Sequence, residues 1–168
     1  MKIKLKKSYL LFLIFVLTLI FRLFFVFQTN TFSSDDAYFH LRHTEKIIEN
    51  KLPIAYDQLS YGGRFFVYPP IFHYILAFFS IFIPFNLALK IIPEILISIL
   101  PIVIYLISKR VSEDENASLI AALISAFIPL IILETLNKIS VYSLALPVIF
   151  LMFYSFLRIK EKKFLILF

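Results

Sequence analysis

Residues 8–27 read Ser-Tyr-Leu-Leu-Phe-Leu-Ile-Phe-Val-Leu-Thr-Leu-Ile-Phe-Arg-Leu-Phe-Phe-Val-Phe. The run is apolar almost throughout, and a helix needs about 20 such residues to cross a bilayer. A signal peptide would have a shorter apolar core, about 7–15 residues, ending at small residues. This stretch instead continues through Arg22 into Leu-Phe-Phe-Val-Phe, so it reads as an uncleaved anchor. Lys2, Lys4, Lys6 and Lys7 precede it, which keeps the N-terminus in the cytoplasm.

Composition agrees with the anchor. Of 168 residues, 61% are hydrophobic and 17% charged, with 21 Phe and 9 Tyr. A soluble globule of this length has too little interior to hide that much apolar surface. Disorder is excluded because disordered chains are poor in apolar residues. The net charge of +6 reports orientation in a membrane protein, so no nucleic-acid partner is read from it. There is no cysteine, hence no disulfide, thiol nucleophile or thiolate metal site. The only glycines are the adjacent Gly62 and Gly63, which excludes the Gly-rich phosphate loops of soluble nucleotide enzymes.

Three further spans are expected at about residues 91–108, 117–133 and 141–157, while residues 70–85 are ambiguous. That last stretch has 16 residues, opens after Pro69-Pro70 and closes at Pro84. Below about 17 residues an interfacial or re-entrant helix is the commoner outcome. If it does not cross, the N-terminal lysines, Lys109 and Arg110, and then Arg158, Lys160, Lys162 and Lys163 all face the cytoplasm. If it crosses, the last two clusters face outside. The non-crossing arrangement is therefore expected. The fold class is all-α: a single polytopic membrane domain over 1–168, with about four transmembrane helices. One long external loop, about residues 28–90, carries amphipathic or re-entrant helices. The protein is placed in the cell membrane as a multi-pass protein.

That loop holds both glycines, all three histidines and five acids, so chemistry is sought there. Ser33-Ser34-Asp35-Asp36 reads as a capped helix start. The stretch to Asn50 fits an amphipathic helix, with Ala37, Leu41, Thr44 and Ile48 on one face. Asp36, His40 and His43 share another face, and Arg42 can pair with Glu45 and Glu49. His40 and His43 have the spacing of a zinc-ligand pair. Without a third matched ligand, the expectation is that they sit on a solvated face.

Asp36-Ala-Tyr-Phe-His-Leu-Arg42 resembles the first acidic motif of membrane-embedded GT-C glycosyltransferases. The likeness is to the N-terminal part of the catalytic subunit of archaeal oligosaccharyltransferases. Tyr56-Asp57, the turn at Gly62-Gly63-Arg64, Tyr68-Pro69-Pro70-Ile71-Phe72-His73-Tyr74 and Arg22 extend it over about residues 10–80. The resemblance implies a truncated GT-C-like fold whose external loop includes non-crossing helices. It also implies transfer of a sugar or oligosaccharide from a polyprenyl-phosphate-linked donor to asparagine of an acceptor polypeptide, at the outer membrane face. Asp36 would be a catalytic carboxylate and a ligand of a divalent cation, Mg²⁺ or Mn²⁺, for which hard oxygen donors are suited. In metal-independent relatives the corresponding acid acts as general base. His40, Arg42 and Arg64 would contact substrate, the arginines through two-pronged bonds to phosphate.

The family carries a second acidic motif at the outer end of a later span. Here Lys138-Ile139-Ser140 occupies that position, and the nearest acid is Glu134. Glu134 substitutes, or the metal is absent, or the chemistry is lost; a lysine beside a dication repels it. Glu94 also lies near a span end, where an acid can reach the interface, but a functional role is expected less for it than for Glu134. Glu113-Asp114-Glu115 and the sequon Asn116-Ala-Ser118 are expected in the cytoplasm, away from the site. There is no Trp, so the family's Trp-Trp-Asp acceptor-reading motif is missing. The chain stops at Phe164-Leu-Ile-Leu-Phe168, where another apolar run begins, so a second polypeptide completing the enzyme is one expectation. A catalytically inactive membrane subunit and a metal-independent single-sugar transferase are the alternatives. Membrane lipid is a partner in every case.

Overall fold

The structure is a computed structural model that describes residues 7–59, 61–65 and 69–159. Lys2, Lys4, Lys6, Tyr68, Lys160, Lys162 and Lys163, each used in the readings above, lie outside the described residues. Of the described residues 72% are helical and 3% in strands. Among the described residues eight helices run in the order α1 (Lys7–Val26), α2 (Asp35–Asn50), α3 (Ile71–Phe79), α4 (Phe85–Ser98), α5 (Leu100–Ser112), α6 (Glu115–Ala126), α7 (Pro129–Thr135) and α8 (Tyr142–Leu157).

The first helix follows the expected span almost residue for residue. Its buried side chains are Ile14, Thr18, Arg22 and Val26, one stripe at four-residue spacing. Phe12, Leu13, Leu17, Ile20 and Phe24 on the other faces are exposed. Polar groups inward and large apolar groups outward is the pattern of a helix solvated by lipid. Small and hydroxylated residues fill the contacts between helices elsewhere: Ser98, Ser118, Ala122, Ser143 and Ser155 are buried. Such residues let helix backbones approach closely inside a membrane.

Among the described residues two helical stretches are long and apolar enough to cross a membrane, α1 and the joined α4–α5 over Phe85–Ser112. The α6–α7 pair makes a third if its 44° bend is one broken span. The expected span at 91–108 thus lies inside a helix of 28 residues. The expected span at 117–133 is broken at Phe127-Ile128. Pro129 lacks an amide hydrogen, and Ile128 before it is extended (φ −63, ψ 117). The 16 residues of α8 give about 24 Å of helix, short of the roughly 30 Å hydrocarbon core. In the ambiguous stretch, α3 has 9 residues, about 14 Å, too short to cross.

One departure from all-α is small. Tyr56–Asp57 (β1) pairs antiparallel with Arg64–Phe65 (β2), Tyr56 opposite Phe65 and Asp57 opposite Arg64. Gly62 and Gly63 turn this hairpin with φ of 73 and 67. A Cβ at Gly63 would meet the Tyr56 hydroxyl, and the positive φ there disfavours any L side chain.

Contacts sort the helix ends into two groups. Lys7 donates to Asn116 Oδ1, and Lys109 pairs with Glu115 at 2.5 Å. Tyr105, Lys109 and Arg110 of α5 share a cavity with Tyr154 and Arg158 at the end of α8. The basic ends of α1, α5 and α8 thus meet the acidic start of α6. At the other end Arg22, Glu94 and Thr135 join α1, α4 and α7. There a core of Ala37, Phe72, Leu76, Ala88, Leu89, Ile92 and Ile139 packs α2, α3 and α4 around the α7–α8 connection.

Candidate functional site

The site is built by a polar network that locks that connection in place. Arg22 is 2% exposed and Glu94 1%, and Arg22 Nε donates to Glu94 Oε2 at 2.6 Å. Arg22 Nη2 also donates to Thr135 Oγ1 at 2.7 Å. The second Glu94 oxygen accepts the Asn137 backbone N–H at 3.0 Å. Asn137 itself sits in the left-handed region (φ 53), turning the chain sharply after α7. Its side-chain amide donates to Thr29 Oγ1, the Thr31 carbonyl and Ser33 Oγ, each at 3.0 Å. Its carbonyl accepts the Ser33 N–H at 3.0 Å. Lys90 bonds the Val26 and Thr29 carbonyls from the far side. The segment entering α2 is thereby stapled to the segment leaving α7.

One consequence is a pocket of about 410 Å³ lined by Ser34, Asp36, His40, Glu134, Lys138 and Ser140, among others. Asp36 and Glu134, far apart in the chain, face the same hollow, as do His40 and Lys138. Asp36 is exposed in the first turn of α2, where the positive helix end favours a carboxylate. Ser34 is the N-cap but makes no side-chain capping bond, contrary to the expected cap. Lys138 Nζ lies 3.8 Å from Glu134 Oε2.

The resemblance implies a divalent cation here, and the donor set does not fit one well. Asp36 supplies one carboxylate, while the Glu134 carboxylate faces an ammonium that would repel a dication. Among the described residues no group of three His, Asp or Glu side chains is arranged to hold a metal ion. What the pocket offers is the Asp36 carboxylate together with the Lys138 ammonium beside Glu134. That pair can take a proton and steady a phosphate.

Arg42 and Arg64 are not brought to the pocket. Arg42 is ion-paired with the buried Asp57 instead of Glu45 and Glu49, and lines a separate hollow with Lys46, Asn50 and Tyr56. Glu49 pairs with Lys46 at 2.6 Å. Arg64 is exposed on the hairpin. The periodicity of α2 missed these partners because the hairpin that carries Asp57 folds back against the helix.

The histidines are not on a solvated face. His43 and His73 are fully buried, and His40 Nδ1 lies 2.9 Å from His73 Nε2 where α2 meets α3. The Phe39 ring packs tilted against His43 with ring centres 4.1 Å apart. Burial, then the neighbouring Arg42 charge, pushes His43 down to about 4. Burial, then the charges of His40 and His43, pushes His73 down to about 3. Burial also lowers His40, against the pull of Asp36. All three side chains are therefore held neutral at pH 7.

Acid should loosen this contact. Below the ordinary value of 6.5 the unfolded loop binds protons that the folded loop refuses. Stability from His43 and His73 is complete above pH 6.5 and is lost as the pH falls toward 4 and 3. At pH 5 the loss is about 2 kcal/mol for each histidine. Amide hydrogen exchange, corrected for its intrinsic pH dependence, should show α2 and α3 losing protection on the order of a hundredfold or more between pH 7.5 and 5, with α1 unchanged. Equal protection of α2 at both values would refute the assignment.

No family model, curated protein or solved structure matches the chain.

Proposed function

We propose that the chain is a membrane glycosyltransferase that moves a sugar or oligosaccharide from a polyprenyl-phosphate-linked donor to asparagine of an acceptor polypeptide. The pocket carries the reading: residues of the GT-C-like motif, Asp36 and His40, meet Glu134 and Lys138 in one hollow. In this reading the bond between sugar C1 and the donor phosphate oxygen breaks, and a bond from C1 to the acceptor nitrogen forms. The leaving phosphate keeps the electron pair and is steadied by Lys138. Asp36 takes the acceptor proton, the work of a general base. Because an ammonium occupies the place of a second acid, the proposed reaction uses the carboxylate and the lysine without a metal.

The proposed topology has four crossings, α1, α4–α5, α6–α7 and α8, with α2, the hairpin and α3 outside. Supporting it, Lys7, Lys109, Arg110 and Arg158 gather at one end while the pocket lies at the other. Positive charge marks the cytoplasmic side, so the pocket would open outward.

The test is transfer itself. Membranes containing the full chain are given a radiolabelled polyprenyl-phosphate-linked sugar and an asparagine-containing peptide. Label appearing in the peptide supports the reading. Label that stays wholly in the lipid fraction, across a panel of donors, overturns it in favour of a non-catalytic membrane subunit.

A further inference from the structure

His40 lines the outer pocket, and the fully buried His73 of α3 is hydrogen-bonded to it. The contact joins His40 Nδ1 to His73 Nε2 at 2.9 Å. The His40 ring also stands edge-on to the Phe39 and Phe72 rings, with centres 5.3 and 6.3 Å away. Three neighbours thus hold the ring, and Nε2 is the nitrogen left for the pocket.

Two imidazoles between packed helices have an ordinary explanation, which is packing. That accounts for the rings but not for their nitrogens, because an apolar ring fills the same space without desolvating polar atoms. A neutral imidazole carries one N–H, and the bond at one nitrogen decides what the other presents. One proton lies between His40 and His73, so one ring donates and the other accepts. Asp36 stands one helical turn before His40 and lines the same pocket. Burial lowers the His40 pKa and the Asp36 charge opposes it, so the carboxylate is felt at the ring. An anion on the pocket side favours a proton on the pocket-side nitrogen. His40 then carries its proton on Nε2, its Nδ1 accepts, and His73 donates.

We propose that His73 is a positioning residue for the outer pocket: its Nε2–H bonds His40 Nδ1 and commits His40 to presenting an Nε2–H to a donor phosphate oxygen. The substrate in this inference rests on the proposed transfer reaction, while the hydrogen-bond roles can be read without it. An N–H bond to the leaving phosphate strengthens as the C1–O bond breaks and charge collects on that oxygen.

The experiment uses the full chain in nanodiscs, with an isotopic nitrogen label in histidine alone and detection by nuclear magnetic resonance. The chain has three histidines, so three imidazoles are observed, and single substitutions assign them. At neutral pH His40 should carry its proton on Nε2 and show a nitrogen–nitrogen coupling across the bond to His73. Adding a polyprenyl phosphate should shift the His40 Nε2 signal and leave His43 in place. In His73→Phe the coupling disappears and the His40 proton divides between its two nitrogens. Transfer in that variant should fall roughly tenfold to a hundredfold, mostly in kcat. His73→Gln, whose side-chain nitrogen can stand where Nε2 stood, should recover most of the loss. A His40 proton on Nδ1, or no coupling to His73, overturns the proposal. So does a His40 Nε2 signal indifferent to polyprenyl phosphate, or transfer undiminished in His73→Phe. A loss that His73→Gln does not recover would make His73 a packing residue and overturn it too. A wild-type chain that transfers nothing, yet shows the coupling and the phosphate shift, would refute the transfer reading alone.

Discussion

Asp36→Asn should abolish transfer, lowering its rate on the order of 10²–10⁴-fold, the range a positioned general base contributes. The substitution keeps shape and removes the proton acceptor. It should not disturb folding, because Asp36 is exposed and its carboxylate accepts no hydrogen bond from another described residue. Glu134→Gln serves as the comparison. Its carboxylate also lines the pocket but faces Lys138 at 3.8 Å, so the loss should be smaller and should appear in donor affinity. Lys138→Ala should weaken the donor's hold through its phosphate, raising KM more than it lowers kcat. Rates are read in membranes from the lipid-linked donor, with chain abundance measured alongside. Activity surviving Asp36→Asn would remove it from the catalytic role, whatever the other two variants do.

Much of this architecture is legible in the sequence because lipid imposes a simple requirement. A crossing helix must be long and apolar, and residues 8–27 meet that requirement without help from tertiary contacts. The start of α3 after Pro69-Pro70 is also legible, but its end at Phe79 is not: the apolar run continues to Phe85 and reads as ambiguous as a whole. The broken span is less so: Pro129 is visible in the sequence, but whether a proline bends or ends a helix depends on what packs beside it. The hairpin escapes notice because two-residue strands leave too few positions to show alternation.

The candidate site divides in the same way. Asp36 is singled out by the motif it opens and Glu134 as an acid near a span end, and the fold brings them to one pocket. Arg42 and the histidines are misjudged because periodicity describes one helix, while their partners Asp57 and His73 come from the hairpin and α3. Asn137 gives no signal at all. Its importance lies in a left-handed turn and in acceptors more than 100 positions away, at Thr29, Thr31 and Ser33. A polar residue between two apolar runs, judged locally, is simply a loop residue.

Glu94 is the other acid whose local reading falls short, and its removal should be the most damaging single change to the fold. It does not reach an interface; it is buried against Arg22. Glu94→Ala leaves the Arg22 guanidinium without its counter-charge and the Asn137 N–H without its acceptor. Breaking a buried ion pair from one side costs about 3–5 kcal/mol. Arg22→Ala should cost a similar amount, because it strands the carboxylate and removes the donor to Thr135. Arg22→Met combined with Glu94→Leu removes both charges together and should cost less than either single change, since a buried pair and a well-packed apolar pair are close in free energy. Unfolding of the detergent-solubilised chain, followed by circular dichroism, separates these cases. Single changes within about 1 kcal/mol of the wild type would show that the pair does not hold the helices together. The double variant also tests the site: with Asn137 still bonded to Thr29, Thr31 and Ser33 but no longer to Glu94, the connection after α7 loses one of its two anchors. Stability should then recover further than transfer does, because the pocket depends on where Glu134 and Lys138 are held and not only on whether α7 is packed.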